Sequence, residues 1–126
     1  MTLTEVEGIY SVYRFAPGTR VPSCLLDTDS FISITRTPDE LSVVCEGGLS
    51  LDHMAEESGW SVLKVEGPLD FGMTGVVASI TGPLGAASIS VFVISTYDTD
   101  YLLVKRDRLA RAATVLRGAD FTVLLL

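Results

Sequence analysis

Two short stretches hold residues that could do chemistry. Residues 70–75, Asp-Phe-Gly-Met-Thr-Gly, stand where a strand should hand over to a helix. The first backbone N–H groups of a helix lack partners within it and carry partial positive charge, so a carboxylate or phosphate is stabilised there. Residues 97–100, Tyr-Asp-Thr-Asp, put two carboxylates in a tight turn between two apolar strands. A donor-rich loop and an acidic turn on neighbouring strands suit a ligand with both charge signs, such as an amino acid. The competing reading is that both are only connections between packed elements.

Catalysis finds little support. The chain has no His/Ser/Asp constellation, no Cys–His pair and no metal-ligand cluster, and an active site needs such an inventory. Asp98 and Asp100 are two apart, so on extended chain they point to opposite faces and pair poorly for acid–base work. Cys24 and Cys45 form no CxxC, and His53, the single histidine, has no partner at metal-ligand spacing. Cys45 falls at an inward strand position and is expected as a buried free thiol. A Cys24–Cys45 disulfide stays open, and His53 is expected as a solvated side chain. The expectations are no enzyme, no cofactor and no metal.

The 126 residues are 48% hydrophobic and carry a formal charge of −7, with nine Lys and Arg. That is enough for one compact domain, or two small units sharing a core. The acidic balance argues against nucleic acid, whose phosphates demand a basic face. No apolar run approaches the ~20 residues of a bilayer span, since Gly82, Pro83, Gly85 and Ser88 break residues 76–94. The N-terminus lacks the basic region of a secretory signal. A cytoplasmic, soluble protein with no nucleic-acid and no membrane partner is expected.

The elements that must position the two stretches follow from pattern. Residues 9–15 read as a strand, 23–26 as one helical turn, and 31–36 with 41–46 as a hairpin turning at Pro38. Residues 49–58 could form a short helix through Met54, closed by Gly59. A strand at 60–66 precedes a helix at 74–87 with the stripe Val76, Val77, Ile80, Leu84 and Ala87. Pro83 should kink or restart that helix. The strand at 89–95 is apolar on both faces, which places it centrally or under a partner subunit, so a homodimer is expected. After a strand at 101–104 comes an amphipathic helix at 107–117, with Leu109, Ala112, Ala113 and Leu116 inward and Gly118 as its stop. A last strand covers 121–126. From residue 60 the order is β-α-β-β-α-β, an α+β ferredoxin-like unit: a four-stranded antiparallel sheet with both helices on one face. Residues 1–59 read as a shortened version of it, giving units at 1–59 and 60–126.

Residues 70–107, DFGMTGVVASITGPLGAASISVFVISTYDTDYLLVKRD, resemble the second ACT domain of small ACT-domain proteins related to the CASTOR arginine sensors. They are similar, more distantly, to the regulatory ACT domains of aspartate kinases. The carriers are the Gly72-Met73-Thr74-Gly75 loop, Gly82-Pro83-Leu84 and residues 94–104. Residues 31–46 and 65–71 are similar to the compact bacterial members. The resemblance implies a pair of ACT-like units that bind a small molecule, usually an amino acid, where units meet. It implies ligand contacts from Phe71, Gly72, Met73 and Thr74 on one side and from Thr96, Tyr97 and Asp100 on the other. Asp100 would meet the cationic part of the ligand and the loop before the helix its carboxylate. Neither the kinase domain nor the further ACT pairs of these relatives are expected here, and the ligand need not be arginine. The expected function is regulation by a ligand-linked conformational or assembly change; the alternatives are a structural oligomerisation module with no ligand and, with less support, an enzyme.

Overall fold

A computed structural model describes residues 1–53 and 55–126. The elements are β1 (Thr2–Phe15), β2 (Ser33–Arg36), β3 (Leu41–Glu46), β4 (Ala55–Val65), α1 (Val76–Ala86), β5 (Phe92–Ser95), β6 (Asp100–Lys105), α2 (Leu109–Gly118) and β7 (Thr122–Leu124). They divide into two units: Met1–Gly8 with Trp60–Leu126, and Ile9–Gly59. No helix among the described residues is long and apolar enough to cross a membrane.

The first unit holds the β-α-β-β-α-β order of the ferredoxin-like fold, with its core on one sheet face. Leu63 and Val65 of β4 and Leu102 and Val104 of β6 alternate inward, as residues two apart on a strand must. They pack against Ile80 and Leu84 of α1 and Leu109, Ala112, Ala113 and Leu116 of α2. The apolar residues of each helix recur at three- and four-residue spacing, which turns one stripe to the sheet. Both helices therefore cover the same face.

The sheet of this unit runs β7-β1-β4-β6-β5. It has one strand more than the four expected: Thr2–Thr4 lies beside β7, parallel to it, in the register Thr2↔Thr122 to Thr4↔Leu124. Met1–Gly8 accordingly clusters with Trp60–Leu126 and not with the residues that follow it. This strand start was hidden because its second inward residue is a glutamate. Glu5 is 7% exposed, and its carboxylate accepts the Leu126 N–H at 3.0 Å and faces Arg106 at 3.6 Å. A buried charge persists where it is paired and hydrogen-bonded.

Three further expectations change. Among the described residues β5 is the end strand of its sheet, paired only with β6, and is not central. Its outward Phe92 packs edge-on against Trp60 at 6.3 Å, which accounts for the apolar residue on that face. α1 continues through Pro83 without a restart. Gly82 has no Cβ, which removes half of the clash that turns a residue before proline away from helix. Finally, Gly118 lies within α2, and the left-handed residue after that helix is Asp120 (φ +71°). Ser88 (φ +59°) does the same after α1. In both, the next residue's N–H bonds the carbonyl five back, Ile89 to Leu84 at 2.9 Å and Phe121 to Leu116 at 3.1 Å, the Schellman arrangement.

In the second unit β3 pairs antiparallel with both β2 and β1. The hairpin turn is braced by Thr37, whose hydroxyl accepts the N–H groups of Asp39 and Glu40 at 3.1 and 3.2 Å. Tyr13, Phe15, Leu25, Leu41, Val43 and Cys45 form the core, Leu25 arriving from a 3-10 turn at Ser23–Leu25. The helix expected at 49–58 is absent from the described residues: β4 already begins at Ala55, and Met54 lies outside them. Strand pairing overrides the helix-forming Ala55-Glu56-Glu57, too short a run to nucleate helix alone. The buried Ser11 hydroxyl donates to Glu56 at 2.7 Å.

Candidate functional site

Gly67 follows β4 at a point where no side chain fits. A Cβ there would lie 2.9 Å from the Leu69 nitrogen and 3.3 Å from the Asp98 oxygen and the Thr99 Cβ. The space is closed because Leu69 N–H donates to Asp98 O at 2.7 Å and the Thr99 hydroxyl to Val65 O at 2.5 Å. The loop after β4 is thus clamped to the β5–β6 turn. Gly67→Ala is expected to cost about 1–3 kcal/mol, as overpacking against fixed backbone does. Urea unfolding with a midpoint equal to the parent's would contradict this clamp.

The loop then bends on Asp70. Its Oδ1 accepts the Gly72 N–H at 2.8 Å and its carbonyl the Met73 N–H at 2.9 Å, a local turn that aspartate favours. Gly75 takes a left-handed φ of +75° at the N-cap of α1, and no side chain caps the helix. The first-turn N–H groups of Val76, Val77 and Ala78 have no acceptor within the helix.

Opposite stands the β5–β6 turn. Thr96 bonds Thr99 O through its N–H at 2.9 Å and its hydroxyl at 3.0 Å. Ser95 and Asp100 are the ladder pair that flanks the turn, and the Ser95 hydroxyl donates to Asp100 Oδ1 at 2.6 Å.

Between these two walls lies a cavity of about 580 Å³. Phe71, Met73, Thr96, Tyr97 and Asp100 line it; Gly72 and Thr74 do not. Phe71 and Tyr97, 73% and 81% exposed, meet edge to face at 4.8 Å on its rim. The lining has a cationic pole, the uncapped N-terminus of α1, and an anionic one from Asp70, Asp98 and Asp100. Among the described residues no Lys, Arg or His lines it. Such a cleft can hold a small molecule with a carboxylate and a cationic group.

Sequence reasoning missed Ser95 and set the start of the donor-bearing helix at residue 74, two residues before Val76. Ser95 was legible in principle: residues flanking a four-residue turn face each other, and here one is a hydroxyl and the other a carboxylate.

His53 and the cysteines sit elsewhere, in the second unit. His53 is half-buried and not fully solvated: Nδ1 lies 2.8 Å from Leu51 O and the ring meets Tyr13 edge-on at 5.0 Å. It closes an aromatic edge of the core, for which an apolar ring body is suited. Both cysteines are free, Cys45 buried and Cys24 exposed. Burial pushes the Cys45 thiol from 9.0 up to about 11, with the charge of Cys24, Glu46 and Glu56 adding to it. The unfolded thiol then ionises first as pH rises, so stability should fall between about pH 9 and pH 11. Cys45→Ala should flatten that part of the pH–stability curve; the same slope in the variant would contradict the burial argument.

A model of the ACT domain family matches residues 55–118, and a second, for an N-terminal domain, matches residues 8–48. Human CASTOR3P is 33% identical over 107 residues, 75% of this chain and 65% of that protein. The human cytosolic arginine sensor for mTORC1 subunit 1 is 42% identical over 59 residues, 46% of this chain but 18% of that protein. The chain thus spans less than two thirds of the curated relatives it matches. The crystal structure of protein Atu0741 from Agobacterium tumefaciens superposes with a TM-score of 0.91 at 38% identity, covering 99% of this chain and 92% of that one. Aspartate kinase from Clostridium acetobutylicum shares the fold, with a TM-score of 0.66 at 13% identity over 90% of this chain and 33% of that one. With an ACT model matched over half its length, on a unit of β-α-β-β-α-β order, this chain belongs to the ACT domain family.

Proposed function

We propose that this protein is a regulatory module that binds a free amino acid in the cleft between the loop at residues 70–75 and the turn at 96–99. One observation carries the reading: the uncapped N-terminus of α1 and the Asp100 carboxylate line one cleft, roomy enough for a free amino acid. The ligand carboxylate takes the N–H groups of Val76–Ala78, and its cationic group takes Asp100. Phe71, Met73, Thr96 and Tyr97 supply the remaining walls, with Gly72 and Thr74 shaping the loop. Arginine is the first ligand to try, from the name of the arginine-sensor relative.

The protein acts by linkage and not as an enzyme: a ligand that prefers one arrangement shifts the population by its difference in affinity alone. The ACT domain comprises residues 60–126 together with Met1–Gly8, and the protein works as a cytoplasmic homodimer. The exposed end strand β5 supports that pairing, because its outer edge offers unpaired backbone groups. A thermal-shift screen of the common amino acids tests the reading. A ligand present at ~100 times its dissociation constant should add about 2.7 kcal/mol of stability. A melting temperature unmoved by any of them would favour an assembly module that binds no ligand.

A further inference from the structure

Of the carboxylates that line the cleft, Asp70 is bonded by the Gly72 N–H of its own loop and Asp100 by a hydroxyl from the facing strand. The hydroxyl is Ser95 Oγ, 2.6 Å from Asp100 Oδ1. Ser95 and Asp100 are cross-strand partners, so their backbones are fixed by the β5–β6 ladder and their side chains project to the same side. Ser95 is exposed and Asp100 half-buried, and both line the cavity. The bond therefore braces little of the core. What it does restrict is the rotation of the Asp100 carboxylate.

We infer that Ser95 is a positioning residue for ligand recognition: its hydroxyl holds Asp100 in one rotamer, leaving Oδ2 directed to an incoming cationic group. This rests on the proposed amino-acid site, and it adds a residue outside the set read from the sequence. The physical reason is entropic. A carboxylate held in place before binding loses less freedom when the ligand arrives, and immobilising one side chain costs enough to change affinity roughly 2- to 12-fold. A hydroxyl donor to an ionised carboxylate is strong enough to impose the rotamer, being charge-assisted and short.

The test uses the full chain as wild type, Ser95→Ala and Ser95→Thr, with free arginine as the probe. In the absence of arginine, side-chain couplings of Asp100 should report one χ1 rotamer in the wild type and in Ser95→Thr. They should report averaging in Ser95→Ala. Calorimetric titration should then give a roughly 2- to 12-fold loss of arginine affinity in Ser95→Ala, restored in Ser95→Thr, with similar melting temperatures for the free proteins. An Asp100 rotamer that stays fixed in Ser95→Ala overturns the inference, with or without ligand. Averaging with unchanged affinity overturns it as well. If arginine fails to bind the wild type, the choice of ligand falls, while the rotamer measurement still decides whether Ser95 positions Asp100.

Discussion

Leu84→Ala should cost the fold about 2–5 kcal/mol, the range for truncating a fully buried leucine whose site collapses only in part. Leu84 has no exposed surface and packs with Leu63, Val65 and Leu102 under the last turns of α1. Its carbonyl also receives the Ile89 N–H that ends the helix, but that bond survives the substitution. The loss is thus one of packing, and it should appear in urea as a lower midpoint with unchanged slope. Against a total stability of roughly 5–15 kcal/mol for a domain of this kind, it is a large fraction. A loss below about 1 kcal/mol would mean that α1 is not seated on the sheet as described.

Asp100→Asn should weaken binding of a cationic amino acid by about 1.5–3 kcal/mol, the worth of a hydrogen bond to a charged group. Asparagine keeps the size of the side chain and an oxygen to accept the Ser95 hydroxyl. The turn itself is held by Thr96 and Thr99 and by the Leu69–Asp98 bond, so the free protein should melt close to the parent temperature. Calorimetry on the two proteins separates binding from bracing. Equal affinities in a folded variant would remove Asp100 from the site. A large loss of stability without ligand would make it a brace.

Much of the first unit was legible because its strands and helices have clean periods. Leu109, Ala112, Ala113 and Leu116 repeat at helical spacing, and Leu102 with Val104 alternates beneath them, so the order from Trp60 onward and the buried face of α2 follow from pattern. Where the pattern failed, a tertiary partner had changed the local rule. Glu5 broke the alternation of β1, yet it is buried because Arg106 and the Leu126 N–H satisfy it. Ala55-Glu56-Glu57 favours helix in isolation, but strand pairing takes it. Ile89 and Phe92 made the segment at 89–95 look covered on both sides. One of them in fact closes the end of α1 and the other leans on Trp60.

The cleft was half legible. Glycine and aspartate mark both loops, and turn chemistry gives each a mechanism. What a linear pattern does not contain is which backbone groups stay free. That depended on Gly75 adopting a left-handed conformation without offering a cap, and on the clamp that brings Leu69 to Asp98. The same holds for Ser95, whose importance lies only in what faces it across the ladder.

The most direct test of the amino-acid site is an amide chemical-shift titration of the uniformly labelled protein with arginine and then with the other common amino acids. A saturable shift confined to the N–H groups of residues 70–78 and 95–100, largest at Val76–Ala78, is the predicted result. Saturable shifts confined to Ile9–Gly59, or none with any amino acid, would contradict it.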